Sequence, residues 1–128
     1  MGRSVRYRRN IPADDTHNGG GYVFDCRGLV NPGKLDQYKN FTGRDPEIHE
    51  FFRNDDQMKS FLANIIALVD QNVENYRKRG FKNLMVNFGC TGGQHRSVYC
   101  AEMLYYHLKG KYNDIDVHIR HREQELKQ

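Results

Sequence analysis

One segment contains most of the residues that could bind or transform a ligand: residues 90–97, Cys-Thr-Gly-Gly-Gln-His-Arg-Ser. It joins a predicted buried strand to a predicted amphipathic helix, whose first N–H groups and positive dipole end face the segment. Its glycines let the backbone approach a ligand closely, and its arginine can hold two phosphate oxygens at once. The segment therefore predicts a binding site for a tetrahedral anion, with phosphate as the first candidate. The predicted ligand-binding residues in it are Thr91, Gly92, Gly93, Gln94, His95, Arg96 and Ser97.

The spacing of these residues separates two kinds of phosphate chemistry. A Walker A loop needs a lysine after its glycines, and none follows Gly93, so ATP binding through such a loop is not supported. Cys90, Gly93 and Arg96 instead have Cys-x-x-Gly-x-x-Arg spacing, which is similar to that of cysteine-dependent phosphatases. In those enzymes a thiolate attacks phosphorus while the arginine holds the oxygens. Cys90 and Arg96 are therefore the catalytic alternative to simple binding.

Two features of the sequence bear on that alternative. Gly89 stands where those phosphatases usually carry a histidine. The carboxylic acids that could protonate a leaving group, Asp25, Asp36 and Asp45, lie in no specific pattern. A small buried residue that packs under the loop is the simpler role for Cys90. Both roles stay open on these grounds.

Composition bounds the class of protein. Residues 1–128 are 38% hydrophobic and 12% aromatic, which is enough for a single folded domain. Cys26, Cys90 and Cys100 are odd in number and lack CxxC spacing, so we expect neither a disulfide framework nor a structural zinc. The six histidines have no metal-binding spacing, and neither a metal nor another cofactor is expected. Without a signal-peptide pattern or an apolar run of roughly 20 residues, we expect a cytoplasmic protein with no membrane contact.

Hydrophobic periodicity predicts an α/β fold. We predict strands at residues 4–9, 22–26, 84–88 and 115–120, the third so apolar that both of its faces should be covered. Helices are predicted at residues 46–52, between a cap at Asn54 or Asp55 and a stop at Gly80, and at residues 95–109. This order favours a four-stranded, largely parallel sheet flanked by helices, with the phosphate segment as its strand-loop-helix connection.

Ligands of such sheets bind beyond the carboxyl ends of the strands. Three groups would meet there: Asp25 with Arg27, residues 90–97, and His121 with Arg122. Arg27 is therefore added to the candidate ligand-binding residues.

A dense basic cluster lies near the N-terminus, and a second one ends the predicted fourth strand. Such a surface could contact the phosphate backbone of RNA, with binding that weakens steeply as salt rises. It could equally be the solvated face of an edge strand, where positive charge discourages association between sheets. Both interpretations stay open. The clusters consist of Arg3, Arg6, Arg8 and Arg9, and of Arg120, His121 and Arg122.

Four motifs together resemble one known family. Residues 89–99, Gly-Cys-Thr-Gly-Gly-Gln-His-Arg-Ser-Val-Tyr, look like the hallmark of the RapZ C-terminal domain family. Residues 22–32 are similar to its Asp-x-Arg-x-x-x-Asn-Pro segment, residues 42–45 to its Thr-Gly-x-Asp, and residues 120–122 to its Arg-His-Arg. The motifs occur in the family's order and extend over nearly the whole chain.

The resemblance implies an α/β domain that self-associates, binds glucosamine 6-phosphate and presents a basic surface to a small regulatory RNA. It passes the phosphate role to Thr91, Gly92, Gly93, His95 and Arg96. Arg9 stands where we expect the family's ligand-facing histidine and is included among the candidate ligand-binding residues. The family's N-terminal kinase-like half has no counterpart here, and its basic tail is replaced by Glu-Gln-Glu-Leu-Lys-Gln at residues 123–128. The interpretation favoured is a non-catalytic phosphosugar sensor that acts through RNA or protein partners, ahead of a phosphatase or an RNA-binding module.

Overall fold

The computed structural model describes residues 21–80, 83–91 and 94–121, and two strands within them form a parallel pair. β1 (Tyr22–Asp25) pairs with β2 (Val86–Gly89), so that Asp25 faces Gly89 at the carboxyl end of both strands. The two strands correspond to the second and third predicted strands, and their parallel direction is confirmed. The predicted strand at residues 4–9 lies outside the described residues.

The longest element is α2 (Asp56–Arg79), and local signals in the sequence set both of its ends. The Asp55 carboxylate accepts a hydrogen bond from Met58 N at 3.2 Å, which caps the first turn. Gly80 ends the helix in the left-handed conformation, with φ of 76°. The predicted apolar stripe is the buried face, formed by Met58, Leu62, Ile65, Val69 and Val73.

Two further helices complete the described fold: α1 (Pro46–Arg53) and α3 (Arg96–Lys111). A short 3-10 turn at Pro32–Lys34 interrupts the loop that precedes α1. Side-chain contacts advance in the same direction along α2 and α3, from Cys100 with Met58 to His107 with Asp70, so the two helices run parallel. The described part of the chain is therefore a small α/β domain with three α-helices, all of which the sequence predicted.

The fourth predicted strand is not confirmed among the described residues. Residues 115–120 form no strand, although their side chains alternate between half-buried and exposed as the sequence predicted. Ile115 and Val117 pack against the core between α2, α3 and the sheet. Alternation reports which side chains are buried, but a strand also needs a backbone hydrogen-bond ladder, and no described strand supplies one to this segment.

The sheet described here is covered on one face rather than on both. Tyr22, Phe24, Val86 and Phe88 pack against the helices, whereas Val23 on the other face is 53% exposed. A cavity of about 240 Å³ lies between the helices, β2 and residues 115–120. None of the helices within the described ranges is both long and apolar enough to cross a membrane.

Candidate functional site

The carboxyl ends of β1 and β2 bring together two of the three groups that the sequence placed at this edge. Asp25 ends β1, and Arg27 follows it on an exposed turn. The Arg27 side chain grips the Asp25 carboxylate, with Nε 2.9 Å from both oxygens and Nη2 2.6 Å from Oδ2. These hydrogen bonds, together with that from the Arg27 backbone N–H, lower the pKa of Asp25 to about 2. Asp25 is thus a carboxylate at neutral pH and no source of a proton.

Arg96 is the buried cation of the site, with only 5% of its surface exposed. It is the first residue of α3, and its Nη1 donates to the backbone oxygen of Arg27 at 2.9 Å and to that of Leu29 at 3.3 Å. These bonds fix the guanidinium at the turn that follows β1. Its charge also contributes to the low pKa of Asp25, after the larger effect of Arg27.

The Nε edge of the Arg96 guanidinium differs from the Nη1 edge, which donates to two backbone oxygens. Nε is buried and has no hydrogen-bond partner among the described residues. In a guanidinium the Nε–H bond and one Nη2–H bond lie parallel on one edge, which matches two oxygens of a phosphate or carboxylate. A buried donor without a partner costs roughly 1–3 kcal/mol, so the arrangement is explained if a ligand oxygen accepts from Nε.

The first residues of α3 and the residue before it, residues 95–100, are all buried. His95 occupies the position before the first helical residue but makes no side-chain capping hydrogen bond. Its Nε2 instead lies 3.2 Å from the backbone oxygen of Tyr38. The His95 ring also packs on Gly33, where an added Cβ would be 2.9 Å from the ring. His95 therefore holds the loop between β1 and α1 in place, through Gly33 and Tyr38. Of the other predicted ligand-binding residues, Thr91 is exposed and Gln94 is half-buried.

Cys90 is 2% exposed, and its Sγ lies 3.1 Å from the Ser97 Oγ. Cys26 and Cys100 are fully buried nearby, with their sulfur atoms 4.0 Å apart. The contact with Cys26, followed by burial, raises the pKa of Cys100 far above the usual range. The burial of Cys90 fits the packing role that the sequence favoured. Its contact with the Ser97 hydroxyl is one that a reactive thiol could also use.

The segment resembling Thr-Gly-x-Asp forms a tight turn against the start of α3. Thr42 N donates to Asp45 Oδ2 at 2.7 Å, and Asp45 N donates to Thr42 O at 2.9 Å. Gly43 N donates to Gln94 O at 2.7 Å. A Cβ on Gly43 would lie 2.4 Å from Tyr99 N, so the close approach of the turn to the helix requires glycine.

One residue of this region has no counterpart among the predicted site residues. Glu102, on α3, is 9% exposed, and its Oε1 contacts Arg44 Nε at 3.5 Å and His121 Nε2 at 3.0 Å. The sequence signal was weak, because a glutamate on an amphipathic helix usually faces solvent. The structure thus places His121 against α3, while Arg120 is exposed.

Several predicted residues cannot be placed. Gly92, Gly93 and Arg122 lie outside the described residues, as do the basic residues of the N-terminal cluster, Arg3, Arg6, Arg8 and Arg9. Their roles in ligand or RNA binding stay predictions.

Comparison with known proteins identifies the family. The model of the RapZ C-terminal domain matches residues 3–125. A nucleotide-binding protein of Fervidobacterium nodosum is 40% identical over 105 residues, which cover 82% of this chain and 36% of that protein. Those of Ruminiclostridium cellulolyticum and Hahella chejuensis are 36% and 33% identical, over 97% and 94% of this chain and 41% and 40% of those proteins. The chain spans about two fifths of the length of these relatives. The chain therefore belongs to the RapZ C-terminal domain family.

Proposed function

We propose that this domain binds a phosphorylated amino sugar of the glucosamine 6-phosphate type and does not transform it. The observation that carries the proposal is Arg96, a buried guanidinium whose Nη1 is anchored by two backbone oxygens while Nε has no partner among the described residues. A phosphate accepting from Nε and Nη2 would satisfy the orphaned donor and lie next to the uncapped start of α3. The sugar itself comes from the family resemblance.

Residues around Arg96 set the electrostatics of the proposed site. Arg27 is already paired with Asp25, so the cation left to hold a phosphate is Arg96, although its charge also acts on Asp25. The Asp25 carboxylate, exposed at the same sheet edge, disfavours ligands with additional negative charge. A monophosphate with a neutral or cationic remainder therefore suits this edge better than a triphosphate does.

The relatives are named nucleotide-binding proteins, so a nucleotide is the alternative ligand for the same residues. Those relatives extend well beyond the region that this chain matches. No Walker A pattern occurs in residues 1–128. We therefore propose that any nucleotide site of this domain would use Arg96 and would bind more weakly than the phosphosugar site.

Thermal unfolding in the presence of ligands tests the proposal. A ligand at 100 times its Kd adds roughly 2.7 kcal/mol to the free energy of unfolding, which raises Tm by about 10 °C for a domain of this size. We expect the largest rise with glucosamine 6-phosphate, a smaller one with inorganic phosphate, and none with glucosamine. ATP is included as a fourth ligand, to distinguish nucleotide binding from phosphosugar binding. Equal shifts with ATP and the phosphosugar would contradict the proposed selectivity.

Two variants show whether Arg96 is responsible. Arg96→Lys keeps the positive charge but loses the parallel donors, so the ligand-induced rise in Tm should largely disappear. Lys78→Ala, at the exposed end of α2, removes one positive charge from the chain and should leave the rise unchanged. Each variant is compared with its own unliganded Tm, because Arg96→Lys also removes the bonds to Arg27 O and Leu29 O. A full ligand-induced rise in Arg96→Lys would refute the assignment.

A cysteine-dependent phosphatase is the second candidate, favoured by the 3.1 Å contact between Cys90 Sγ and Ser97 Oγ. A hydroxyl so placed can stabilise a thiolate that attacks phosphorus. Against it, the low pKa of Asp25 removes one of the three candidates for a general acid, the one at the carboxyl end of β1. Hydrolysis of an aryl phosphate that disappears in Cys90→Ser would establish the enzyme. Phosphosugar binding that persists in Cys90→Ser, without hydrolysis in the wild type, would support the sensor.

We further propose that the domain acts through an RNA or protein partner and self-associates, as the resemblance implies. Exposed Arg120 is compatible with RNA contact, whereas His121 is buried against Glu102 and would contribute only indirectly. RNA affinity that falls steeply with salt and is reduced in Arg120→Ala would support the RNA role. Sedimentation equilibrium with and without phosphosugar measures self-association.

A further inference from the structure

The turn formed by residues 42–45 packs against the start of α3 and also contacts this helix further along. Gly43 N binds Gln94 O at 2.7 Å, immediately before the helix. The next residue, Arg44, reaches Glu102, six residues after Arg96 and about 9 Å further along the helix axis. The turn formed by residues 42–45 is therefore held to α3 and the residue before it at two points, through Gly43 and Arg44.

Glu102 also fastens the chain that returns after α3. His121 Nε2 lies 3.0 Å from the same Glu102 oxygen, and both side chains are about nine-tenths buried. A carboxylate withdrawn from water is destabilising unless charged or hydrogen-bonding groups compensate for it. Arg44 and His121 provide that compensation, so Glu102 draws two otherwise separate segments onto α3.

The contact made by Gly43 shows why this matters for the ligand site. Its backbone is so close to His95 O and Tyr99 N that an added Cβ would lie 2.5 Å and 2.4 Å from them. His95 O and Tyr99 N are themselves paired in the first turn of α3, at 2.9 Å. A shift of residues 42–45 would therefore move the first turn of α3, from which Arg96 projects.

We propose that Glu102 is a positioning residue for the phosphate site: through Arg44 and His121 it clamps residues 42–45 against the first turn of α3 and so fixes Arg96. Glu102 does not contact the ligand. The proposal rests on the proposed function, because it assigns the clamp to the anion site at Arg96.

Glu102→Gln tests the proposal, because plain electrostatics and positioning predict opposite signs. Removing one negative charge from the chain should by itself strengthen the binding of inorganic phosphate slightly. Loss of positioning should weaken it by roughly 2- to 30-fold, the range for residues that act on a site without touching its ligand. The matched control is Glu50→Gln on α1, which removes the same charge from an exposed position. Unchanged or tighter phosphate binding in Glu102→Gln would overturn the proposal.

Hydrogen exchange at the Gly43 amide tests the clamp without any ligand. This N–H donates to Gln94 O, so we expect it to exchange several-fold faster in Glu102→Gln, and at the wild-type rate in Glu50→Gln. An unchanged rate in Glu102→Gln would refute the clamp whether or not phosphate binds. Failure of the wild-type protein to bind phosphate would instead refute the proposed function.

A milder variant covers the case in which Glu102→Gln does not fold. Arg44→Lys keeps the charge on an exposed side chain and removes the guanidinium contact with Glu102. It should weaken phosphate binding and accelerate Gly43 exchange in the same direction, but to a smaller extent. Wild-type values for both quantities would count against the proposal.

Discussion

Gly43→Ala is the substitution whose effect the structure specifies most closely. Gly43 is buried, and its φ lies outside the left-handed region, so alanine is not excluded by backbone conformation. The obstacle is contact with α3. A Cβ at this position would meet Tyr99 N at 2.4 Å and His95 O at 2.5 Å.

Both contacts involve helix backbone, which cannot rotate away as a side chain could. The turn must retreat by about 0.6 Å to reach even the shortest Cβ contacts found in proteins, at 3.0 Å. Overpacking of this kind costs about 1–3 kcal/mol. Weakening of the 2.7 Å bond from Gly43 N to Gln94 O adds about 1 kcal/mol. We therefore expect Gly43→Ala to lower the free energy of unfolding by about 2–4 kcal/mol.

Urea denaturation followed by circular dichroism measures the change, with Gly28→Ala as the control. A Cβ on Gly28 would meet nothing within 4 Å, so that variant should match the wild type or be stabilised by up to about 1 kcal/mol. Gly43→Ala should also weaken phosphate binding, because the same movement displaces the first turn of α3. Equal stability of the two variants would refute the close approach of residues 42–45 to the helix.

Three further predictions concern stability. Gly110→Ala, inside α3 and free of any contact within 4 Å, should raise the free energy of unfolding by about 0.5–1 kcal/mol in urea melts. Asp70→Ala should lower the free energy of unfolding by about 1–3 kcal/mol, because His107 and Lys111 lose a shared, largely buried carboxylate. Asp36→Ala, at a side chain that is 99% exposed, should leave the free energy of unfolding unchanged. Asp25 has a pKa lowered to about 2, so its carboxylate stabilises the fold above its ordinary pKa and ceases to do so as pH falls through 2. Asp25→Asn should therefore flatten the loss of stability between about pH 4 and pH 2 in acid titrations, and an unchanged acid limb would exclude the Asp25–Arg27 pair as a cause.

The sequence predicted the helices well because their signals are local. The cap at Asp55, the stop at Gly80 and the apolar stripe between them all lie within a single element. The strand at residues 115–120 was predicted from equally regular alternation and is not confirmed among the described residues. A ladder depends on a neighbour that is distant in sequence, and alternation of side chains carries no information about that neighbour.

In the candidate site too, the sequence predicted what is local and missed what depends on distant residues. Arg96 could be named from its place after the glycines, but not its anchoring to Arg27 O and Leu29 O, which lie 69 and 67 residues away in the sequence. Glu102 escaped prediction because its partners Arg44 and His121 meet it only through tertiary packing. Residue types could thus indicate the chemistry, while the contacts that orient those residues required the fold.

The Nε–H resonance of Arg96 tests the central claim most directly. Its signal in a ¹⁵N-resolved NMR spectrum can be assigned by its absence in Arg96→Lys, and then followed during titration with inorganic phosphate. We predict a saturable downfield shift of the Nε–H proton, because a charged oxygen becomes the acceptor of a buried donor that has no partner among the described residues. Phosphate binding that leaves this resonance unmoved, or no binding at all, would contradict the assignment of Arg96 as the anion-binding residue.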